Sequence, residues 1–137
     1  MAPSDFNQQI IDEFRNNQGV VGGPFAGAPM LLLHTVGRKS GGERVNPLVY
    51  QQVGDGWAVF ASFAGAPVDP AWYHNLMAQP ETTIEVGTET IAVHAREAEG
   101  EERDRIWQKQ KADAPGFADY EVKAGDRVIP VVILERR

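Results

Sequence analysis

Two periodicities divide this chain. In residues 4–18, Phe6, Ile10, Ile11 and Phe14 recur on one face, Ser4 stands where an N-cap belongs and Gly19 is a natural stop, so the spacing predicts a helix. A loop rich in Gly and Pro follows, VVGGPFAGAP. From Met30 the pattern shortens to that of strands. MLLLHTV (30–36), VNPLVYQQV (45–53) and WAVFASF (57–63) are apolar runs, and Gly54-Asp55-Gly56 between the last two is a hairpin signal. Asp69-Pro70 offers a cap before a short helix, AWYHNLMA (71–78), which Pro80 ends. TTIEV (82–86) and TIAVHA (90–95) form a second hairpin around Gly87. Residues 101–113 read as a helix with acids early and lysines late, as its dipole prefers, and Pro115-Gly116 breaks it. VIPVVIL (128–134) is a last strand.

About six short strands and three helices, mostly joined as hairpins, argue against a doubly wound parallel sheet. A mainly β domain of the α+β kind is expected instead: an antiparallel barrel with peripheral helices, which closes the sheet and hides its edges. The 137 residues are expected to form one domain, 1–137, with the helix 4–18 at its start and the barrel from about residue 30. At 42% apolar residues there is enough to bury a core.

Charge and composition then exclude classes of function. Thirteen Lys and Arg stand against 19 Asp and Glu, a formal net charge of −6, too acidic for general nucleic-acid binding. With no cysteine, thiolate nucleophiles and cysteine-based metal sites are out. No apolar run approaches a membrane span, and MAPSDFNQQI lacks the basic and apolar regions of a secretory signal, so a cytoplasmic protein is expected. The polar face of the helix 4–18 carries Asp5, Asp12 and Glu13 against Arg15, whereas interfacial helices are usually basic. Packing on the barrel or its pocket is therefore expected in preference to membrane contact.

Against that acidic background one basic cluster stands out, Gly37-Arg38-Lys39-Ser40-Gly41-Gly42-Glu43-Arg44. Glycines let backbone N–H groups converge, and Arg and Lys suit phosphate or carboxylate. The loop is either an anion trap or a solvated turn between strands. It lacks the spacing of a P-loop. His34, His74 and His94 have neither helical metal spacing nor an acidic partner at ligand distance in sequence, so no metal site is expected. Ser62 has no Gly-x-Ser-x-Gly elbow around it. It is either an ordinary strand serine or a hydroxyl that hydrogen-bonds a ligand. Trp72, Tyr73, Phe117 and Tyr120 are either core filler or the lining for a flat ligand. A chain without its own acid–base constellation must borrow reactivity from a cofactor.

The run TVGRKSGGERVNPLVY (35–50), then VFASFAG (59–65), PAWYHNLMAQP (70–80) and the closing RVIPVVILER (127–136) closely resemble the deazaflavin-dependent nitroreductase and quinone reductase family. The resemblance implies an antiparallel split β-barrel of the FMN-binding kind that binds coenzyme F420 through its phosphate and polyglutamate tail. Carried over by motif, Arg38, Lys39, Ser40 and Arg44 belong to the cofactor-binding loop, its cations holding the anions. Pro47, Leu48 and Val49 border the ring. Ala61 and Ser62 approach its reactive edge, and Trp72 and Asn75 belong to its wall. Ser62 and Tyr120 are the catalytic candidates, the first to orient ring or acceptor, the second to supply a proton in place of water. Phe117 and Tyr120 line the pocket for a small apolar acceptor: a quinone, an enone or a nitroaromatic. Two departures stand out. Some family members have Lys where this chain has Phe63, and some place several tyrosines where this chain keeps Tyr120 alone. An FMN-dependent oxidoreductase of the same barrel type and a non-catalytic F420 carrier are the alternative readings.

Overall fold

A computed structural model of the chain describes residues 5–22, 27–37 and 41–137. In chain order the elements are α1 (Asp5–Asn16), β1 (Met30–Val36), β2 (Glu43–Val53), β3 (Gly56–Phe60), a 3₁₀ turn (Phe63–Gly65), α2 (Ala71–Ala78), β4 (Glu81–Val86), β5 (Glu89–Glu97), α3 (Gly100–Asp113), α4 (Gly116–Ala124) and β6 (Val131–Arg136). All strand pairs are antiparallel, and the sheet closes as a barrel in the order β1-β2-β3-β6-β5-β4.

Strand alternation explains the layers. Leu31, Leu33, Val59, Ile84, Ile91, Val93 and Leu134 point into the barrel, where Trp72 and Leu76 of α2 complete the same cluster. The opposite face of β1 carries Met30 and Leu32, covered by Ile10, Ile11 and Phe14 of α1. The outer face of β3 and β6, with Ala58, Phe60, Val131 and Ile133, is covered by Ile106, Trp107 and Ala124 of α3 and α4. β3 is thus buried on both faces and reads as a continuous apolar run, while β5 alternates buried and exposed.

The helix expected over 4–18 spans Asp5–Asn16; its expected cap Ser4 lies outside the described residues, as does the side chain of Phe6. Its amphipathic face packs on the barrel. Gly19 ends it as expected, with φ +92° and its N–H donated to Phe14 O at 2.8 Å. A Cβ there would stand 2.7 Å from Gly87 Cα, so the helix end and the β4–β5 turn meet backbone to backbone. No helix among the described residues is long and apolar enough to cross a membrane.

Three local expectations are corrected. Three helices are expected and α3 ends before Pro115-Gly116 as read, but a fourth helix, α4, starts at Gly116. β3 stops at Phe60, so Ser62 lies in a loop and not in a strand. Its carbonyl, with those of Ala61 and Ala66, is taken by Arg127 and is withdrawn from any ladder. Finally, α2 starts from Pro70, and Asp69 turns its carboxylate to Arg127 rather than capping the helix.

Candidate functional site

β2 is the longest strand among those described, and its two halves pair with different neighbours. Residues 43–49 pair with β1, but β3 pairs with 50–53 alone. From Glu43 to Val49 one edge of β2 is open. Tyr50 N–H is donated to Pro29 O, toward β1. Backbone direction alternates along an antiparallel strand, so Leu48, Asn46 and Arg44 also turn to β1, and Val45, Pro47 and Val49 turn to the open edge. Pro47 sits where its missing N–H costs no ladder bond.

A cleft of about 710 Å³ lies along this edge. Met30 of β1 and Phe60 of β3 line it, and five further segments build the rest. β2 contributes residues 43–49; α2 and its approach contribute Pro70, Ala71, Trp72 and Asn75; the loop after β3 contributes Ser62 and Phe63; α4 contributes Phe117 and Tyr120; and α1 contributes Asn7, Gln8, Ile11 and Arg15. Of the described residues that the sequence nominated for a site, all but Ala61 and Tyr73 line this cleft. Ala61 is fully buried behind the wall and hands its carbonyl to Arg127. Arg38, Lys39 and Ser40 lie outside the described residues.

One wall is aromatic. Phe117 meets Phe60, Trp107 and Tyr120 edge to face, with ring centroids at 5.5, 6.2 and 5.4 Å. α3 and α4 hold it in place: Glu121 accepts from Trp107 Nε1 at 2.6 Å and from Lys111 Nζ at 3.0 Å. Tyr73 turns away from the cleft and donates to Glu97; burial first, then that carboxylate, pushes its phenol well above its usual range, so it stays protonated. The opposite rim is polar. Arg44 is half-buried there, beside the exposed Glu43.

α1 packs on the barrel and borders the cleft, as its apolar face led us to expect, but the residues that seat it were not legible in the sequence. A charged latch fixes it. Arg15 donates to both oxygens of Glu85, from Nε at 3.1 Å and Nη2 at 2.8 Å, and His34 Nε2 stands 2.7 Å from the same carboxylate. His34 Nδ1 is 3.2 Å from Glu43 but out of line for a hydrogen bond. The hydrogen bond from Arg15 is the main cause holding the Glu85 carboxyl below its usual range; burial opposes it and His34 adds to it. A depressed carboxylate stabilises the fold above its ordinary pKa, and that stability is lost as pH falls through the lowered folded value. Glu85→Gln should therefore lower stability at neutral pH by about 1 kcal/mol, the half-exposed Arg15 keeping the figure small. Its melting temperature should converge on wild type in acid. Equal melting temperatures at neutral pH would show that the latch contributes nothing.

Closed barrel, open strand edge, aromatic wall and a polar rim carrying Arg44 together describe a small β-barrel with a lateral cleft suited to a flat ring system with a polar end. Residues 7–136 match the family described as F420H(2)-dependent quinone reductase. An F420H(2)-dependent quinone reductase of Mycobacterium tuberculosis is 38% identical over 128 residues, covering 90% of this chain and 85% of that protein. The solved structure of an F420-H2 dependent reductase, FDR-A, superposes with a TM-score of 0.71 at 39% identity, over 78% of this chain and 94% of that one. A heme storage protein from Vibrio cholerae, HutZ, shares the split-barrel fold at 17% identity, with a TM-score of 0.60 over 96% of this chain and 90% of its own. The chain belongs to the F420H(2)-dependent quinone reductase family. It is an oxidoreductase, and F420 is its cofactor.

Proposed function

We propose that the cleft holds reduced F420 with its ring along the open edge of β2 and its anionic tail toward Arg44 and the 38–40 segment, and that a quinone is reduced against the aromatic wall. The observation that carries this reading is the unpaired edge of β2 facing that wall within one cleft. The bound deazaflavin supplies the hydride; every other task falls to the chain.

The peptide groups of Val45 and Val49 offer hydrogen-bond donors to the polar edge of a flat ring, and Pro47 and Leu48 border its face. Trp72 and Asn75 close one end. Arg44 offers a planar fork of donors to phosphate or carboxylate. The Ser62 hydroxyl orients ring or acceptor, and a proton reaches the acceptor oxygen from Tyr120 or from water. Burial between Phe117, Phe60 and the β2 edge brings the reactants together with little water between them, so proximity supplies most of the acceleration. Enones and nitroaromatics fit the same wall as further acceptors.

The test is turnover of reduced F420 with a naphthoquinone, followed by the return of oxidised deazaflavin absorbance, beside parallel titrations with F420 and FMN. Turnover with F420 and no tight FMN binding is expected. Tight FMN binding with FMN-dependent turnover, or F420 binding without turnover, would overturn the reading.

A further inference from the structure

The loop between β3 and α2 has a conformation that its own sequence does not favour. Phe63 adopts φ +49°, a left-handed value that costs free energy for a residue with a side chain. Ser62 and Phe63 on this loop, and Pro70 at its end, line the cleft. Such a segment persists only where its surroundings over-determine it. Beside the loop's own turn bonds, one side chain from the far end of the sequence grips it at several points. Arg127, in the turn between α4 and β6, donates to Ala61 O at 3.0 Å, Ser62 O at 2.7 Å, Ala66 O at 2.9 Å and Asp69 Oδ1 at 2.6 Å. Its side chain is 10% exposed and bonds to three carbonyls and one carboxylate, of which Ser62 O also accepts from Gly65 N–H at 2.9 Å.

We propose that Arg127 is a positioning residue for hydride transfer, fixing residues 61–69 so that Ser62 and Phe63 form a rigid side of the cleft. Its place beside α4 extends the effect. The same loop packs on that helix, where a Cβ on Gly65 would stand 3.0 Å from Tyr120 O, and Arg127 N–H is bonded to Ala124 O at 3.2 Å. Arg127 thus ties the loop carrying Ser62 to the helix carrying Phe117 and Tyr120. Geometry sets the residue type: the guanidinium fork reaches several oxygens at fixed angles, whereas a lysine ammonium offers one point charge to Asp69 and cannot span the three carbonyls. This inference rests on the reading of the cleft as the F420 and quinone site.

Two measurements on wild type, Arg127→Lys and Arg127→Ala test it. The first is hydrogen exchange of the protein without cofactor. Amides of 62–69 should exchange about tenfold or more faster in Arg127→Lys, with those of β1, β4 and β5 unchanged. The second is steady-state turnover at saturating reduced F420. kcat should fall about 10–100-fold in both variants, as for a misplaced reacting group, and millimolar guanidinium should restore part of it in Arg127→Ala. Unchanged exchange in 62–69, or unchanged kcat, would overturn the proposal. So would uniformly faster exchange through the barrel with no guanidinium rescue, which marks a residue needed for stability alone. A wild-type protein that does not turn over reduced F420 would defeat the cofactor reading, while the exchange comparison would still decide whether Arg127 fixes the loop.

Discussion

Arg44→Ala should weaken F420 binding by between about tenfold and about a hundredfold. The estimate follows from the loss of one charge-assisted contact worth roughly 1.5–3 kcal/mol. Arg44 lines the cleft from a half-buried position on the open stretch of β2, so its contact with an anion would be partly shielded from solvent. Lys39→Ala should act in the same direction. Both losses should shrink as salt rises, because screening weakens the wild-type contact first. The neighbouring carboxylate supplies a control of opposite sign. Glu43, 69% exposed at the side chain, lines the same cleft, and Glu43→Gln should tighten binding by no more than about twofold. Fluorescence titrations of the three variants at two salt concentrations decide the matter. Unchanged curves for both Arg44→Ala and Lys39→Ala would exclude these two cations as partners of the cofactor's anions.

Where the sequence was legible, a local cause fixed the structure. The run 30–36 and the segment 71–78 fold as read, because apolar patterning and a proline or glycine at the boundary decide them without help. The nominated residues of the PAWYHNLMAQP and ERVNPLVY motifs meet on one cleft, because the open edge of β2 and the approach to α2 face each other across it. What was missed depends on distant partners. β3 reads as running to residue 63, since Ala61-Ser62-Phe63 continues an apolar strand, but three carbonyls of 61–66 belong to Arg127, more than fifty residues away in sequence. α4 goes unread because Pro115-Gly116 marks the end of α3. Its helix is set by tertiary contacts: Phe117 on Phe60 and Trp107, and Glu121 on Trp107 and Lys111. One signal was present, since Phe117, Tyr120 and Ala124 recur at helical spacing on the side that packs inward. The seat of α1 rests on Arg15, Glu85 and His34, three residues drawn from three elements, and no local pattern joins them.

Phe117→Tyr should shift acceptor choice toward nitro compounds, and Tyr120→Phe should slow the reduction of every acceptor. The wild-type wall is built for stacking. Phe117 is the hub of its ring contacts, and edge-to-face packing on Phe60 and Trp107 holds its plane fixed. A fixed apolar ring favours a flat acceptor by roughly 0.5–1.5 kcal/mol beyond burial, which suits quinones and enones. It offers no donor to the negative charge that develops on a nitro group. A preorganised donor can be worth two to three orders of magnitude in rate. A phenol introduced at Phe117 has no partners arranged to aim it, so a rise of roughly tenfold in the nitro-to-quinone ratio is expected instead. Tyr120 meets Phe117 at 5.4 Å and lines the same cleft, and its phenol is the nominated proton source. If the proton comes from that phenol, Tyr120→Phe should lower kcat by about a hundredfold with a quinone, the lower end for a positioned acid. If water supplies it, the loss should stay within about threefold, the size of a lost hydrogen bond of the weaker kind. Steady-state rates of wild type and both variants, with one naphthoquinone and one nitroimidazole, separate these outcomes. A wild type that already prefers the nitroimidazole, or a ratio unmoved by Phe117→Tyr, would show that α4 does not set acceptor choice.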